Sequence, residues 1–176
     1  MNRKKDLFEY FVYLVYKWYC EAKHLNANQQ VDNDLSKLKL IKLHFFACST
    51  SEPALRIFNN FHALPYGHVE SDVYQIIDNL NYFTISKTSL TIKGNFNVSL
   101  IINALQEADK LLIDEIVSNL KVYNYYLINY TAFDLVELSH KWFSWQYSFE
   151  QAKRKGNLSA YIDKSLITNE LKVYSF

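Results

Sequence analysis

The sequence predicts a mainly α-helical protein with a small β-hairpin or arm, folded as a single compact helical domain over residues 1–176. Three observations support this prediction. Apolar side chains recur at helical spacing in several segments, one short stretch alternates apolar and polar residues as a hairpin does, and no Gly/Ser-rich linker or repeat divides the chain. With 49% hydrophobic residues, a domain of this size buries about 70% of its unfolded surface.

The first two predicted helices differ in how much of their circumference is apolar. Residues 6–24 have one apolar face and one polar face, which predicts an amphipathic helix. The segment "LSKLKLIKLHFFACS", capped by Asn33 or Asp34, is apolar on nearly all sides, which predicts a central, buried helix.

Three polar residues of the second helix have different expected surroundings. Lys37 and His44 share one narrow strip, which we expect to face water. Lys42 falls on a side that should be packed. Because an unpaired buried ammonium costs several kcal/mol, we expect Lys42 to be buried and paired.

The middle of the chain predicts the β structure. "LRIFNNFHALPYGHV" is rich in Phe and turn residues and predicts an irregular arm or small strand around the Tyr66-Gly67 turn. Ser71 is the expected cap of a short helix. "YFTISKTSLTIKGNF" alternates apolar and polar residues on either side of a turn and predicts a small hairpin.

The remainder of the chain predicts further helices. From Val98 the helical period places one apolar stripe at Leu105, Ala108, Leu112, Ile116 and Leu120. Thr131 and Asp134 have the spacing of a capping box ahead of the next helix. A last helix is predicted from about Asp163 to Val173.

The composition argues against a nucleic-acid partner. Lys and Arg number 19 and Asp and Glu 18, a net charge of +1, whereas nucleic-acid binding requires a strong basic excess. The basic run Lys153-Arg154-Lys155 is interpreted as a solvated helix end. Cys20 and Cys48 lie within apolar helical patterns and predict buried thiols in a reducing compartment.

We also expect a cytoplasmic protein without a membrane partner. The chain starts with basic and then apolar residues, as a signal peptide does, but Asp6, Glu9 and Lys17 interrupt this segment and no cleavage site follows. No stretch approaches the roughly 18 uninterrupted apolar residues of a membrane span.

The sequence favours neither a metal nor a catalytic centre, so we expect no cofactor. His62 and His68 flank the turn, but zinc needs three or four ligands, and no Cys or carboxylate lies near at ligand spacing. Ser139 and His140 are adjacent on a predicted helix and therefore point about 100° apart, too far for a nucleophile–base pair. An enzyme that uses His140 with Lys42 is the less favoured alternative.

Three segments, far apart in the sequence, each contain a short motif. "LKLIKLHFFA" places Lys-Leu ahead of two aromatics, with Lys42 as the lysine, and "FHALPYGHVESDVY" contains Ala, a Gly-x-Val turn and Val-Tyr. "DLVELSHKWFSW" contains Leu-Ser-His followed by Trp. In this order, and over residues 7–162, they resemble the Panacea antitoxin domain family, which includes the SocA-like antitoxins and many phage-associated proteins.

The resemblance implies a functional cluster built from these motifs. Its members would be Lys42, Tyr66, Gly67, His68, Val69, Tyr74, Ser139, His140 and Trp145. Ser139 stands where the family has Thr, while His140 and Trp145 fall on the motif histidine and tryptophan.

The chain departs from the family pattern around the turn. His62 replaces the usual Glu, Leu64 an aromatic, His68 the Pro of Gly-Pro-Val, and Ile41 the Gln before the motif lysine. Gly67 preserves the turn of the family motif, but these substitutions alter the rigidity and the charge of the turn. We therefore expect partner choice to differ from that of typical members.

The resemblance further implies a non-enzymatic protein that binds and neutralises a toxin encoded nearby, commonly one that stops translation or growth. A SocA-like member instead acts as an adaptor that passes its toxin to a protease, which makes a protease or a chaperone a further candidate partner. Some members add a DNA-binding helix-turn-helix, for which this chain has no room.

We expect the Tyr66-Gly67 turn to pack against the helix of Lys42 and the Ser139-His140 segment, because Gly67 supplies backbone freedom and buried tyrosine hydroxyls need partners. The polar side chains would then form one hydrogen-bonded cluster. The sequence leaves two interpretations open, a recognition site with His68 at its surface or a structural core cluster, and favours the second. If the cluster is only structural, residues 142–147 are the next candidate surface.

Overall fold

The computed structural model describes residues 3–94 and 96–176 and confirms a mainly α-helical fold with small antiparallel sheets. The helices are α1 (Arg3–Ala22), α2 (Lys37–Cys48), α3 (Glu52–Ile57), α4 (Ser71–Ile76), α5 (Val98–Ile102), α6 (Glu107–Tyr123), α7 (Ala132–His140), α8 (Phe143–Arg154) and α9 (Lys164–Asn169). The strands are β1 (Phe61–Leu64), β2 (Gly67–Glu70), β3 (Phe83–Ile85), β4 (Leu90–Ile92) and β5 (Ala160–Tyr161). Short 3-10 helices span Ile77–Asn79 and Tyr125–Asn129.

Helix α2 is central and buried, as its all-round apolar pattern predicts. It packs against α6, α7 and β2. The expectation that His44 faces water is wrong: its ring is buried and packs edge-on against Phe8, Phe11 and Phe58. Phe8 and Phe11 belong to α1, whose apolar face covers the strip that a single-helix projection leaves open. Burial lowers the pKa of His44 to about 3, so this ring stays neutral.

The predicted caps of α2 are also wrong, because both residues have other partners. Ser36 caps α2 by accepting a hydrogen bond from the Lys39 amide. Asp34 instead holds the buried Lys39 ammonium with both carboxylate oxygens, at 2.8 and 2.9 Å. The Asn33 side chain instead forms two hydrogen bonds with Leu90 of β4. It donates to the Leu90 carbonyl and accepts from the Leu90 amide.

The segment around the Tyr66-Gly67 turn forms a hairpin. Strand β1 pairs antiparallel with β2 in a register that sets Leu64 opposite Gly67, so Pro65 and Tyr66 form the turn. Strand β5 adds to the other edge of β1. The cap of α4 is Glu70 rather than Ser71, because the Glu70 carboxylate accepts a hydrogen bond from the Val73 amide at 2.7 Å.

The second predicted hairpin is confirmed, with β3 paired antiparallel to β4. The Thr131–Asp134 capping box is confirmed at the start of α7. The last predicted helix is shorter than expected. Helix α9 ends at Asn169, and residues 170–176 have no regular secondary structure.

The helical run from Val98 is interrupted, contrary to the single stripe expected from its period. Helix α5 ends at Ile102, and α6 begins after Gln106, whose backbone is extended. Arg3 of α1 holds the first turn of α6 through a two-point bond to Asp109. Within α6 the predicted stripe is confirmed at Ile116 and Leu120, which are buried, whereas Ala108 is exposed and Leu112 is only partly buried. The buried residues of α6 are Asp109, Ile113, Ile116, Val117 and Leu120.

The apolar side chains of these elements form one buried cluster, to which α1 and α2 contribute most of the aromatic rings. Both cysteines are buried and free, as expected. Across the described ranges, no helix is both long and apolar enough to cross a membrane.

Candidate functional site

Gly67 is the point at which three separate elements meet. Its φ is +90°, in the region that favours glycine. A Cβ at this position would overlap the Ser139 hydroxyl of α7 and lie 3.0 Å from Nζ of Lys42 on α2. The expected packing of the turn against both segments is therefore present in the structure, and the missing side chain of Gly67 makes it possible.

Lys42 is fully buried and has an uncharged partner. Its Nζ donates a hydrogen bond to the carbonyl oxygen of His68 at 2.7 Å. Among the described residues, no carboxylate lies within ion-pair distance of this ammonium. Burial lowers the pKa of Lys42 to about 7, because little compensates the lost hydration of the charge.

His68 is buried as well, which rules out the less favoured interpretation that places it at the surface of a recognition site. Its ring stacks on Phe45 of α2 with the ring centres 3.6 Å apart. Nε2 lies 2.8 Å from the Ser144 hydroxyl of α8, whereas Nδ1 has no partner. Burial, the charge of Lys42 and the charge of His140 all lower the pKa of His68 well below its ordinary value. A substitution of His68 would therefore change the packing and the stability of the core.

Ser139 and His140 point apart, as the helical geometry predicts. Ser139 is buried, and its hydroxyl donates to the Val136 carbonyl at 2.8 Å. The His140 side chain is 24% exposed and stacks on the indole of Trp145, with ring centres 3.8 Å apart. Burial lowers the pKa of His140, the carboxylate of Glu137 opposes that shift, and the charge of Lys42 adds to it.

Trp145 connects α8 to the hairpin turn. Its Nε1 donates a hydrogen bond to the Leu64 carbonyl at 2.8 Å, and the indole is partly exposed. Tyr66, at the tip of the turn, is 59% exposed. Tyr66 at the tip of the turn, and His140 and Trp145 beside the turn, are the site residues with exposed surface and are here called the rim. The buried group of Lys42, His68, Ser139 and Ser144 is here called the buried cluster.

Two of the expected members lie outside this site. Tyr74 is 50% exposed on α4, where the Lys37 ammonium lies 4.3 Å from its ring centre. Val69 is buried, but side chains alternate along a strand, so it faces away from His68. Tyr66 and Tyr74 are both largely exposed, so neither adds a buried hydroxyl to the predicted hydrogen-bonded cluster.

Three residues that complete the site carry no recognisable signal in the sequence. Phe45 supplies the stacking face for His68, and Ser144 supplies its hydrogen bond. Glu170 accepts a bond from the Ser144 amide at 3.0 Å, and its other carboxylate oxygen is buried without a partner. Burial raises the pKa of Glu170. Ser144 lies inside the segment "HKWFSW", but a serine flanked by aromatics carries no recognisable signal, and Glu170 is 26 residues further along the chain.

The site shows no arrangement for metal binding. Among the residues that the structure describes, no group of three or more His, Cys, Asp or Glu side chains is placed to hold a metal ion. His62 is half-buried on β1, where its ring nitrogens face Asn60 and Ser159.

Comparison with known proteins adds no relative. No family model matches the chain, and neither a curated protein nor a solved structure is significantly similar to it.

Proposed function

We propose that this protein is a non-enzymatic, antitoxin-type interaction module that binds and neutralises a toxin encoded beside it. One observation carries the proposal. The three segments that resemble Panacea motifs, far apart in the sequence, meet at Gly67 through Lys42, His68 and Ser139. Motifs that form one unit in space support a shared role more strongly than three separate matches do.

The division between the buried cluster and the rim favours binding over catalysis. Lys42, His68 and Ser139 have no exposed surface, so a substrate could reach them only after the hairpin moved. The rim exposes to solvent the ring of Tyr66 and parts of the Trp145 indole and the His140 imidazole. The imidazole is neutral at pH 7 because its pKa is lowered. Tyrosine and tryptophan are enriched at the centres of protein interfaces, where they combine large contact area with a polar group.

The proposal also implies a cellular compartment and further partners. The toxin would act on translation or growth, which places the complex in the cytoplasm, and two free, buried cysteines suit a reducing compartment. If the chain is an adaptor, a protease or a chaperone would be the additional partner, and the toxin would be degraded after capture. No nucleic acid is needed for either route.

One observation favours an enzyme as the second candidate. A lysine with a pKa of about 7 beside two histidines is the kind of perturbed group that active sites use. In that case Lys42 and His140 would be the reacting groups, and any activity would depend on the Lys42 amine. A buried cluster with a purely structural role would keep its function after Lys42→Met.

Co-purification with the product of the neighbouring gene tests the proposal. We expect tagged protein to retain that product through size-exclusion chromatography as a stoichiometric complex, and Lys42→Met to retain it equally. Failure to bind the product of any adjacent gene that is toxic alone would remove the antitoxin proposal. Loss of function in a folded Lys42→Met variant would favour the enzyme.

A further inference from the structure

An open cleft of about 350 Å³ lies between the first turns of α1 and the connection from α5 to α6. The residues that line it are Arg3, Asp6, Ala104, Leu105, Gln106 and Asp109. A second space of about 70 Å³ adjoins the cleft, since Asp6 and Ala104 line both. Sites for small molecules have volumes from about 300 Å³ upward. The cleft therefore has room for one small ligand.

Two carboxylates line the cleft, and among the described residues only Asp109 has a cation bound to it. Arg3 donates to both of its oxygens, from Nε at 3.0 Å and from Nη2 at 2.6 Å, so these two charges compensate each other. Asp6 is only 8% exposed, and no described residue donates a hydrogen bond to its carboxylate. The adjacent ammonium of Lys5 donates to Asn81 instead. Asp6 is thus a buried, unpaired acid that faces a cleft.

An unpaired carboxylate is unfavourable in this position because burial removes its hydration. Burial raises the pKa of Asp6, and the positive charges of the amino terminus and of Lys5 only partly oppose that shift. The neighbouring Glu9 is also buried, but its carboxylate accepts hydrogen bonds from the amides of Asn81 and Tyr82. A cation in the cleft would give Asp6 the partner that Glu9 finds within the fold.

The lining of the cleft favours an organic ammonium over a metal ion. Calcium takes about six to eight oxygen ligands, whereas the carboxylates of Asp109 and Glu9 are already engaged and only that of Asp6 is left. A primary ammonium is a compact charge on an aliphatic stem. Ala104 and Leu105 provide apolar surface for such a stem in the same cleft as the Asp6 carboxylate.

We propose that Asp6 and this cleft bind a small aliphatic primary amine in its ammonium form. The ammonium would donate charge-assisted hydrogen bonds to the Asp6 carboxylate, and the alkyl chain would lie against Ala104 and Leu105. The cleft includes no residue of the rim or of the buried cluster. The inference is therefore independent of the proposed function, and its test does not involve the toxin.

The first experiment uses n-butylammonium as the probe, titrated at pH 7 into the full chain and followed by NMR at the Asp6 carboxyl carbon and the Ala104 methyl group. We expect saturable shifts, and at least about tenfold weaker binding to Asp6→Asn, which keeps the shape of the side chain and removes its charge. Asp32→Asn, an exposed aspartate in the loop between α1 and α2, is the matched control and should bind as the wild type does. Absent shifts, undiminished binding to Asp6→Asn, or equal affinity for the uncharged 1-butanol would overturn the inference.

The second experiment repeats the titration with the amino terminus acetylated. Acetylation removes a positive charge that acts on Asp6, so butylammonium should bind at least as tightly as to the unmodified chain. If the probe binds only the acetylated chain, the amino terminus is itself the cation that Asp6 holds, and the inference of a separate ligand is overturned. Ala104→Leu, which fills part of the cleft and leaves Asp6 in place, should weaken binding at least about fivefold with an unchanged Asp6 pKa.

Discussion

Gly67→Ala should lower the free energy of unfolding by about 3 kcal/mol or more, because a side chain at this position meets both backbone strain and overlap. The φ of +90° is strained for any residue with a Cβ, and the added Cβ would overlap the Ser139 hydroxyl and touch the Lys42 ammonium. Neither neighbour can withdraw easily, since both are buried. Urea unfolding followed by circular dichroism measures the loss.

Gly156 provides the matched control for this substitution. Its φ is +72°, but a Cβ there would meet nothing within 4 Å. Gly156→Ala should therefore cost only the backbone strain, about 1 kcal/mol. The double variant Gly67→Ala/Ser139→Ala should recover part of the larger loss because the overlapping oxygen is gone. Equal costs for the two glycine substitutions would show that the turn is not packed as described.

Lys42→Met should abolish a rise in stability that the wild type shows between about pH 7 and pH 10. The pKa of Lys42 is about 7 in the folded protein and about 10.4 when unfolded. Between these values the unfolded chain binds one more proton, so the free energy of unfolding increases with pH. The penalty of the buried charge is complete below pH 7 and vanishes above the unfolded pKa, a change on the order of 5 kcal/mol.

The measurement compares urea unfolding of wild type and variant at several pH values. Met has a similar volume and no charge, but it leaves the buried His68 carbonyl without its donor. Above pH 10 the variant should therefore be less stable than the wild type by about 1 to 3 kcal/mol, and this difference should shrink or reverse at pH 7, where the wild type carries the penalty of the buried charge. Lys87→Met, an exposed lysine in the turn between β3 and β4, is the control and should parallel the wild type throughout. Parallel curves for Lys42→Met and wild type would contradict a depressed pKa at Lys42.

Local pattern was sufficient for the fold class and for the buried lysine. The all-round apolar pattern of α2 predicted both its central position and the burial of Lys42, and the Thr131–Asp134 spacing predicted the start of α7. The need for positive φ at a tight turn pointed to Gly67. These features depend on residues close together in the sequence, and such patterns are visible without knowledge of the packing.

The errors arise where tertiary neighbours decide. His44 is buried because α1 lies over it, and Tyr74 is exposed on α4, where the Lys37 ammonium lies against its ring. The bond of His68 to Ser144 joins residues 76 positions apart. The hydrophobic pattern of a single helix or strand contains no information about such long-range contacts. The choice between a recognition site and a structural cluster could not be made from the sequence for the same reason, and the structure shows only which of these residues are buried and which are exposed.

The buried cluster and the rim thus take different parts in the proposed account. Lys42, His68 and Ser139 hold the hairpin against α2 and α7, whereas the exposed Tyr66 and the partly exposed His140 and Trp145 are the residues that we propose bind the partner. The earlier alternative surface, residues 142–147, contributes through Trp145, while Trp142 is fully buried in the core.

Rescue of growth by Tyr66→Ala, compared with rescue by Tyr74→Ala, tests whether the rim binds the toxin. Both tyrosines are about half exposed or more, but only Tyr66 belongs to the rim. In cells that express the toxic neighbouring gene, the wild type and Tyr74→Ala should restore growth. Tyr66→Ala should fail while its Tm stays unchanged. Equal rescue by the two variants, or no rescue by the wild type from any adjacent gene that is toxic alone, would contradict the account.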